Sequence, residues 1–113
     1  MKKNIYGAVA AVAGAAGAML TVASPPASGV DLAYGEYIAS SCFTCHRADG
    51  VDTGFPRITG RPAKEVLDLL TAYRDKIRPN EVMQAIATQL TGEEAHAVAH
   101  YLESLKSRLT KAD

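Results

Sequence analysis

Two cysteines stand three positions apart in this chain, Cys42 and Cys45, and a histidine, His46, directly follows the second. They are the only cysteines among 113 residues. Thiols at this spacing can each add to one vinyl group of a haem, giving two thioether bonds. The adjacent imidazole is then placed to coordinate the iron from the same side. Three other chemistries compete for these residues. A zinc site normally wants four Cys or His ligands, and His96 and His100 could complete one. A dithiol redox pair belongs in a βαβ setting, and the chain has no strand-like segment. A structural disulfide is awkward between residues so close in sequence. Covalent haem attachment fits the surroundings best.

An iron that only exchanges electrons wants a second axial ligand. The N-terminus bears on this. Lys2 and Lys3 form a short positive region, and Ile5 to Val22 is almost wholly Ala, Gly, Val, Met and Leu. Thr21-Val22-Ala23 then leads into Ser24-Pro25-Pro26. These are the parts of a secretory signal, with cleavage expected after Ala23. The alternative is an uncleaved membrane anchor, since the run is nearly long enough to span. Either way residues 24–113 form one exported domain. Met83 is the sole methionine in that domain. It follows a Pro79-Asn80 break, and its thioether is a soft neutral ligand that favours ferrous iron. The bland alternative is a methionine filling a core gap. His96 and His100 are the competing ligands, one helical turn apart on a segment whose buried stripe does not need them.

The elements that must position these residues are all helical. One helix is expected from about Asp31 to Ser40, a second opening with Pro62 as a first-turn residue. Val66, Leu67, Leu69, Leu70 and Tyr73 give the second a broad apolar face. A third covers Glu81 to Gln89. Thr91-Gly92-Glu93-Glu94 has the form of a capping box and starts a last helix reaching about Arg108. Its Val98, Tyr101, Leu102 and Leu105 recur at helical spacing. Residues 47–61, rich in Gly, Asp, Thr and Pro, read as loop. The class is all-α. Twelve cationic residues balance twelve acidic ones, so the basic footprint of a nucleic-acid binder is absent. Tryptophan is missing and aromatics are few. A side-chain core would be thin, and a cofactor is the usual supplement in so small a domain.

Beyond the haem motif the chain resembles class I c-type cytochromes from about Asp31 to Leu105. It is most similar to the small bacterial kind found as the cytochrome subunit of flavocytochrome c sulfide dehydrogenase. The resemblance rests on Cys42-x-x-Cys45-His46, on Gly54-Phe55-Pro56-Arg57-Ile58-x-Gly60, and on Arg78-x-Asn80-x-x-Met83-x-x-Ile86-Ala87. It continues through Leu90-Thr91-x-Glu93-Glu94 and Ala99-x-Tyr101-Leu102. It implies a class I cytochrome c fold, about four short helices around one covalent haem c, with His46 and Met83 on the iron. It further implies that the Pro56 carbonyl accepts a hydrogen bond from His46 and that Ile58 packs on the haem. Gly35 and Tyr101 should lie where the first and last helices cross. Arg78, with Tyr73, should meet a propionate; a solvated surface charge is the alternative for Arg78. One position departs from the family: Arg47 stands where many members have glycine, which puts a cation near the exposed haem edge.

The function so implied is periplasmic electron transfer to and from a redox protein partner, with no substrate transformed. The chain would serve as the haem subunit of a flavoprotein sulfide dehydrogenase, or as a free carrier to a terminal oxidase. A ligand-binding sensor or a peroxidase would need an open iron position, and Met83 argues against both. Phe43, Gly54, Phe55 and Ile58, beside Arg47 and Arg57, are the expected docking rim, unless they simply cover the haem.

Overall fold

Helix starts in this chain are set by local chemistry. A computed structural model describes residues 11–18 and 29–111. The expected signal segment and its cleavage site lie outside the described residues, apart from 11–18, which hold no regular secondary structure. The first helix, α1 (Leu32–Cys42), is capped by Asp31, whose carboxylate accepts from the Tyr34 N–H at 3.0 Å. The second, α2 (Ala63–Arg74), begins one residue later than expected. Pro62 lies just outside it, extended at φ −55°, ψ 136°, and its carbonyl accepts the Val66 N–H at 3.2 Å. The third, α3 (Glu81–Gln89), is capped by Asn80, which accepts from the Met83 N–H at 2.9 Å. The fourth, α4 (Gly92–Ser104), carries the full capping box: Thr91 Oγ1 accepts from the Glu94 N–H and Glu94 Oε2 from the Thr91 N–H. Such caps each contribute about 1 kcal/mol.

The last helix does not run unbroken to Arg108. It stops at Ser104, and a single turn, α5 (Lys106–Leu109), follows. The cause is Leu105, buried to 6 % exposure. Its N–H bonds to the Leu102 carbonyl three residues back, which tightens the chain. The turn brings Leu109 against Gly60.

The four longer helices pack in a chain of pairs: α1 on α4, α4 on α2, α2 on α3. Gly35 makes the first pair possible. A Cβ there would lie 2.2 Å from the Ala97 carbonyl oxygen and 2.8 Å from the Tyr101 Cβ. Tyr34 ties the same helices by donating its hydroxyl to Glu94 at 3.1 Å. Arg74, in the last turn of α2, reaches across to the Ala87 and Leu90 carbonyls at the end of α3, where a cation also suits the helix dipole. The fold is all-α, and among the described residues there is no strand. Nor is any described helix long and apolar enough to cross a membrane. The fully buried core is small: among the described residues only Leu102, Val98 and Thr59 are larger side chains with almost no exposure. Several other apolar side chains face a cavity instead of one another.

Candidate functional site

Cys42 is the last residue of α1, and the chain makes a tight turn immediately after it. The N–H groups of Cys45 and His46 both bond to the Cys42 carbonyl, at 3.2 and 2.8 Å. Thr44 adds a hydroxyl bond to the Ser41 carbonyl. This turn presents two thiols and an imidazole on one side of the peptide. Both cysteines are free thiols, Cys42 half-buried and Cys45 exposed. Burial raises the Cys42 pKa above its ordinary value, which keeps the group protonated at neutral pH.

The His46 ring is oriented by the loop that follows. Its Nδ1 lies 2.7 Å from the Pro56 carbonyl. A carbonyl can only accept, so Nδ1 carries the hydrogen, and in the neutral ring Nε2 is the nitrogen with the free lone pair. Phe55 meets the same ring edge-on, with centroids 6.0 Å apart. The loop itself is pinned from beneath. Thr59 is buried at 2 % exposure, and its hydroxyl lies 3.3 and 3.2 Å from the Arg47 and Ala48 carbonyls. The Gly60 N–H bonds to the Leu102 carbonyl of α4 at 2.8 Å. The turn that carries His46 and the Pro56 carbonyl are thus held by one buried hydroxyl and one backbone bond.

These residues open onto a cavity of about 530 Å³. Its floor is Val66, Leu69 and Leu70 of α2 with Val98 and Leu102 of α4. Cys42, Cys45, His46, Pro56, Ile58, Tyr73, Arg78 and Met83 also line it. All eight residues expected to hold the cofactor therefore line one space, although up to 41 positions separate them. Asn80 holds the Met83 backbone as the helix cap, and the Gln84 amide bonds to the Arg78 carbonyl at 2.9 Å. The Arg78 guanidinium sits over the Tyr73 ring, 5.3 Å from its centroid. That contact steadies a long side chain at the cavity edge. His96 and His100 do not line the cavity; they lie on the outer face of α4.

Several cavity residues were not singled out in the sequence. Arg61 lines the wall, ion-paired to Glu65. Val82 and Ile86 stand at the mouth with large exposure, 67 % and 39 %. Their one-turn spacing on α3, beside Met83, was the available signal. Of the expected docking rim, Phe55 and Ile58 line the cavity, whereas Phe43 packs half-buried against the core and Gly54 is not part of the lining. Arg47 does not offer a free cation. It is paired with Asp49 at 2.5 Å. The Arg47 guanidinium and the Val51 N–H together hold the Asp49 carboxyl down at about 2.

The donor set suits a haem. The volume falls in the range of buried ligand sites, the walls are apolar, two thiols stand at the rim, and an imidazole with a free lone pair faces in. Cytochrome c family sequences match residues 32–106, two thirds of the chain. The chain is 31% identical over 87 residues to the cytochrome subunit of sulfide dehydrogenase from Chlorobaculum tepidum, covering 76% of this chain and 79% of that one. It is 37% and 41% identical to the thiosulfate dehydrogenase electron acceptors of Thiomonas intermedia and Stutzerimonas stutzeri, over 71 and 70 residues. The match spans about a third of the length of those two relatives, 33% and 32%. With the family match over all four longer helices and a cavity that fits its cofactor, the chain belongs to the class I c-type cytochromes, which bind haem c covalently and pass electrons to redox partners.

Proposed function

We propose that this protein carries single electrons in the bacterial periplasm through one haem c that Cys42 and Cys45 would attach and whose iron His46 and Met83 would bind. The observation that carries the reading is the convergence of these four residues on a single apolar cavity, with the His46 Nδ1 already engaged by Pro56. When bound, haem supplies the Fe(III)/Fe(II) exchange. The residues supply everything else. Pro56 fixes the His46 tautomer and raises its basicity as a ligand. Asn80 fixes the start of α3 and with it the position of Met83. Val66, Leu70, Val98 and Leu102 exclude water from the floor. Arg78, steadied by Tyr73, offers a guanidinium for a propionate.

The apolar run after Lys2 and Lys3 supports export to the periplasm. Among partners, a flavoprotein that oxidises sulfide fits best. The match to the sulfide dehydrogenase subunit extends over three quarters of both chains, whereas the thiosulfate acceptors are matched over a third of their length. Phe55, Val82 and Ile86 leave apolar surface at the cavity mouth, of the kind a lasting interface covers.

Ligation is tested on the oxidised holoprotein, which should show the weak near-infrared band of a sulfur–iron bond. Met83→Ala should abolish the band, lower the potential and admit carbon monoxide. If His96→Ala or His100→Ala did so instead, Met83 would not be the ligand. Partnership is tested by native purification. Co-elution with a flavoprotein supports the subunit role; a free monomer whose electron transfer slows steeply with salt supports the soluble carrier.

A further inference from the structure

The haem site uses one of the three histidines in the chain, and the other two form a pair. His96 and His100 lie one helical turn apart on α4, on the face turned away from Val98 and Leu102. Their rings are nearly parallel, 18° apart, with centroids at 6.3 Å. Histidines at this spacing project from one side of a helix, which is how a helix presents two imidazoles to one metal ion. Both are accessible, His96 exposed and His100 partly so. The Glu103 carboxylate lies 3.9 Å from His100 Nδ1. That places a carboxylate on the same stripe, beyond hydrogen-bond reach of the ring but close enough to add negative charge beside the pair. Glu93, one turn before His96, adds a second exposed carboxylate to the same stripe.

From this pair we infer a surface site for a borderline divalent cation, such as zinc, nickel or copper, chelated by His96 and His100. Imidazole is the neutral ligand those ions prefer. No three His, Cys, Asp or Glu groups converge as a metal cage among the described residues. The site is therefore a two-imidazole chelate whose remaining positions are filled by water, with the Glu103 carboxylate adding negative charge nearby. Each metal–nitrogen bond is about 2 Å long. Bringing both nitrogens to one ion requires the rings to swing together from 6.3 Å, a rotation of exposed side chains that leaves the α4 backbone in place. The ion would bridge two turns of a helix whose opposite face forms the cavity floor.

The test is calorimetric titration of the tag-free holoprotein with zinc chloride at pH 7.5, repeated with H96Q, H100Q and E103Q. One equivalent should bind, and each histidine variant alone should weaken it by about tenfold or more, because the second ligand acts at high effective concentration. E103Q should weaken it by less. The visible haem spectrum should stay the same throughout, which separates this site from His46. Unchanged affinity in the double variant H96Q/H100Q would overturn the inference. So would dependence on one histidine alone, or a stoichiometry of one zinc per two chains. None of these outcomes depends on which redox partner the protein serves.

Discussion

The α1–α4 crossing and the α2–α3 wall are built on opposite plans. At the crossing, Gly35 lets one backbone press against Ala97 and Tyr101, and Ile38 and Ala39 of α1 and Ala97, Ala99 and Tyr101 of α4 are buried. On the wall, Leu69, Tyr73, Met83 and Leu90 are only half-buried, and the space beside them is a cavity of about 530 Å³. Among the described helices α3 packs on α2 alone, held there partly by the Arg74 bonds to the Ala87 and Leu90 carbonyls. One half of the molecule is completed by its own side chains and the other by its cofactor.

The largest effect should come from withholding the cofactor. The full chain with C42A/C45A should lose its cooperative thermal transition, since total stabilities are only about 5–15 kcal/mol and the apolar wall would face water. Hydrogen exchange of the residual state should be slowest in α1 and α4 and fastest in α3. Equal protection of all four helices would erase the distinction between the two regions.

Next in size is Gly35→Ala in the holoprotein. Alanine is the better helix former by about 1 kcal/mol, yet its Cβ would meet the Ala97 oxygen at 2.2 Å. The clash wins, and urea unfolding should show a loss of about 3 kcal/mol. Gly54→Ala is the matching probe in the loop. There φ is +97° but nothing lies within 4 Å of the added carbon, so only backbone strain of about 1–2 kcal/mol is at stake. Equal losses would mean that the crossing yields where the structure shows backbone contact.

What the sequence revealed and what it concealed follows the same division. Local devices were legible: the start of α1 near Asp31, the Thr91–Glu94 box, the stripe from Val98 to Leu105, the span of α3. Each depends on neighbours within four residues. The meeting of Gly35 with Tyr101, and of Pro56 with His46, came from family resemblance, since no local pattern specifies a contact across ten or more positions. The break at Leu105 escaped because it is caused by tertiary burial, where periodicity favours continuation. Arg47 looked like a free cation because its partner Asp49 sits in a turn whose geometry sequence alone does not fix. Arg61, Val82 and Ile86 were missed at the site for a related reason. A cavity wall and an ordinary core face have the same apolar pattern.

The acid side of the stability curve probes the crossing from outside. Glu94 accepts from the Thr91 N–H, the leading cause of its lowered pKa, and from the Tyr34 hydroxyl. A carboxyl with a depressed folded pKa stabilises the fold above its ordinary value of 4.5. That contribution fades as the pH falls through the lower folded value. Glu94→Gln keeps a capping box but cannot titrate. Its stability should therefore fall less steeply than that of the parent below pH 4.5. Parallel curves would show that Glu94 does not link α1 to α4 through its charge.

The smallest expected effect is a gain, and it lies on the wall. α2 ends in a Schellman turn: the Ile77 N–H bonds to the Ala72 carbonyl at 2.9 Å, and the Lys76 N–H to the Tyr73 carbonyl at 3.0 Å. This geometry requires a left-handed residue at the position of Lys76, whose φ is +58°, and glycine is the usual occupant. A lysine there carries about 1–2 kcal/mol of backbone strain, while glycine would lose more chain entropy on folding. The difference favours Lys76→Gly by about 1 kcal/mol or less, read as a rise in the urea midpoint of the holoprotein. Lys76→Ala should give no gain, because it keeps the Cβ that causes the strain. The turn leads directly into Ile77, Arg78 and the Asn80 cap that positions Met83. If Lys76→Gly instead lowered stability or altered the near-infrared band, the strained lysine would be holding the Met83 side of the cavity in place, and the wall would be more rigid than its packing indicates.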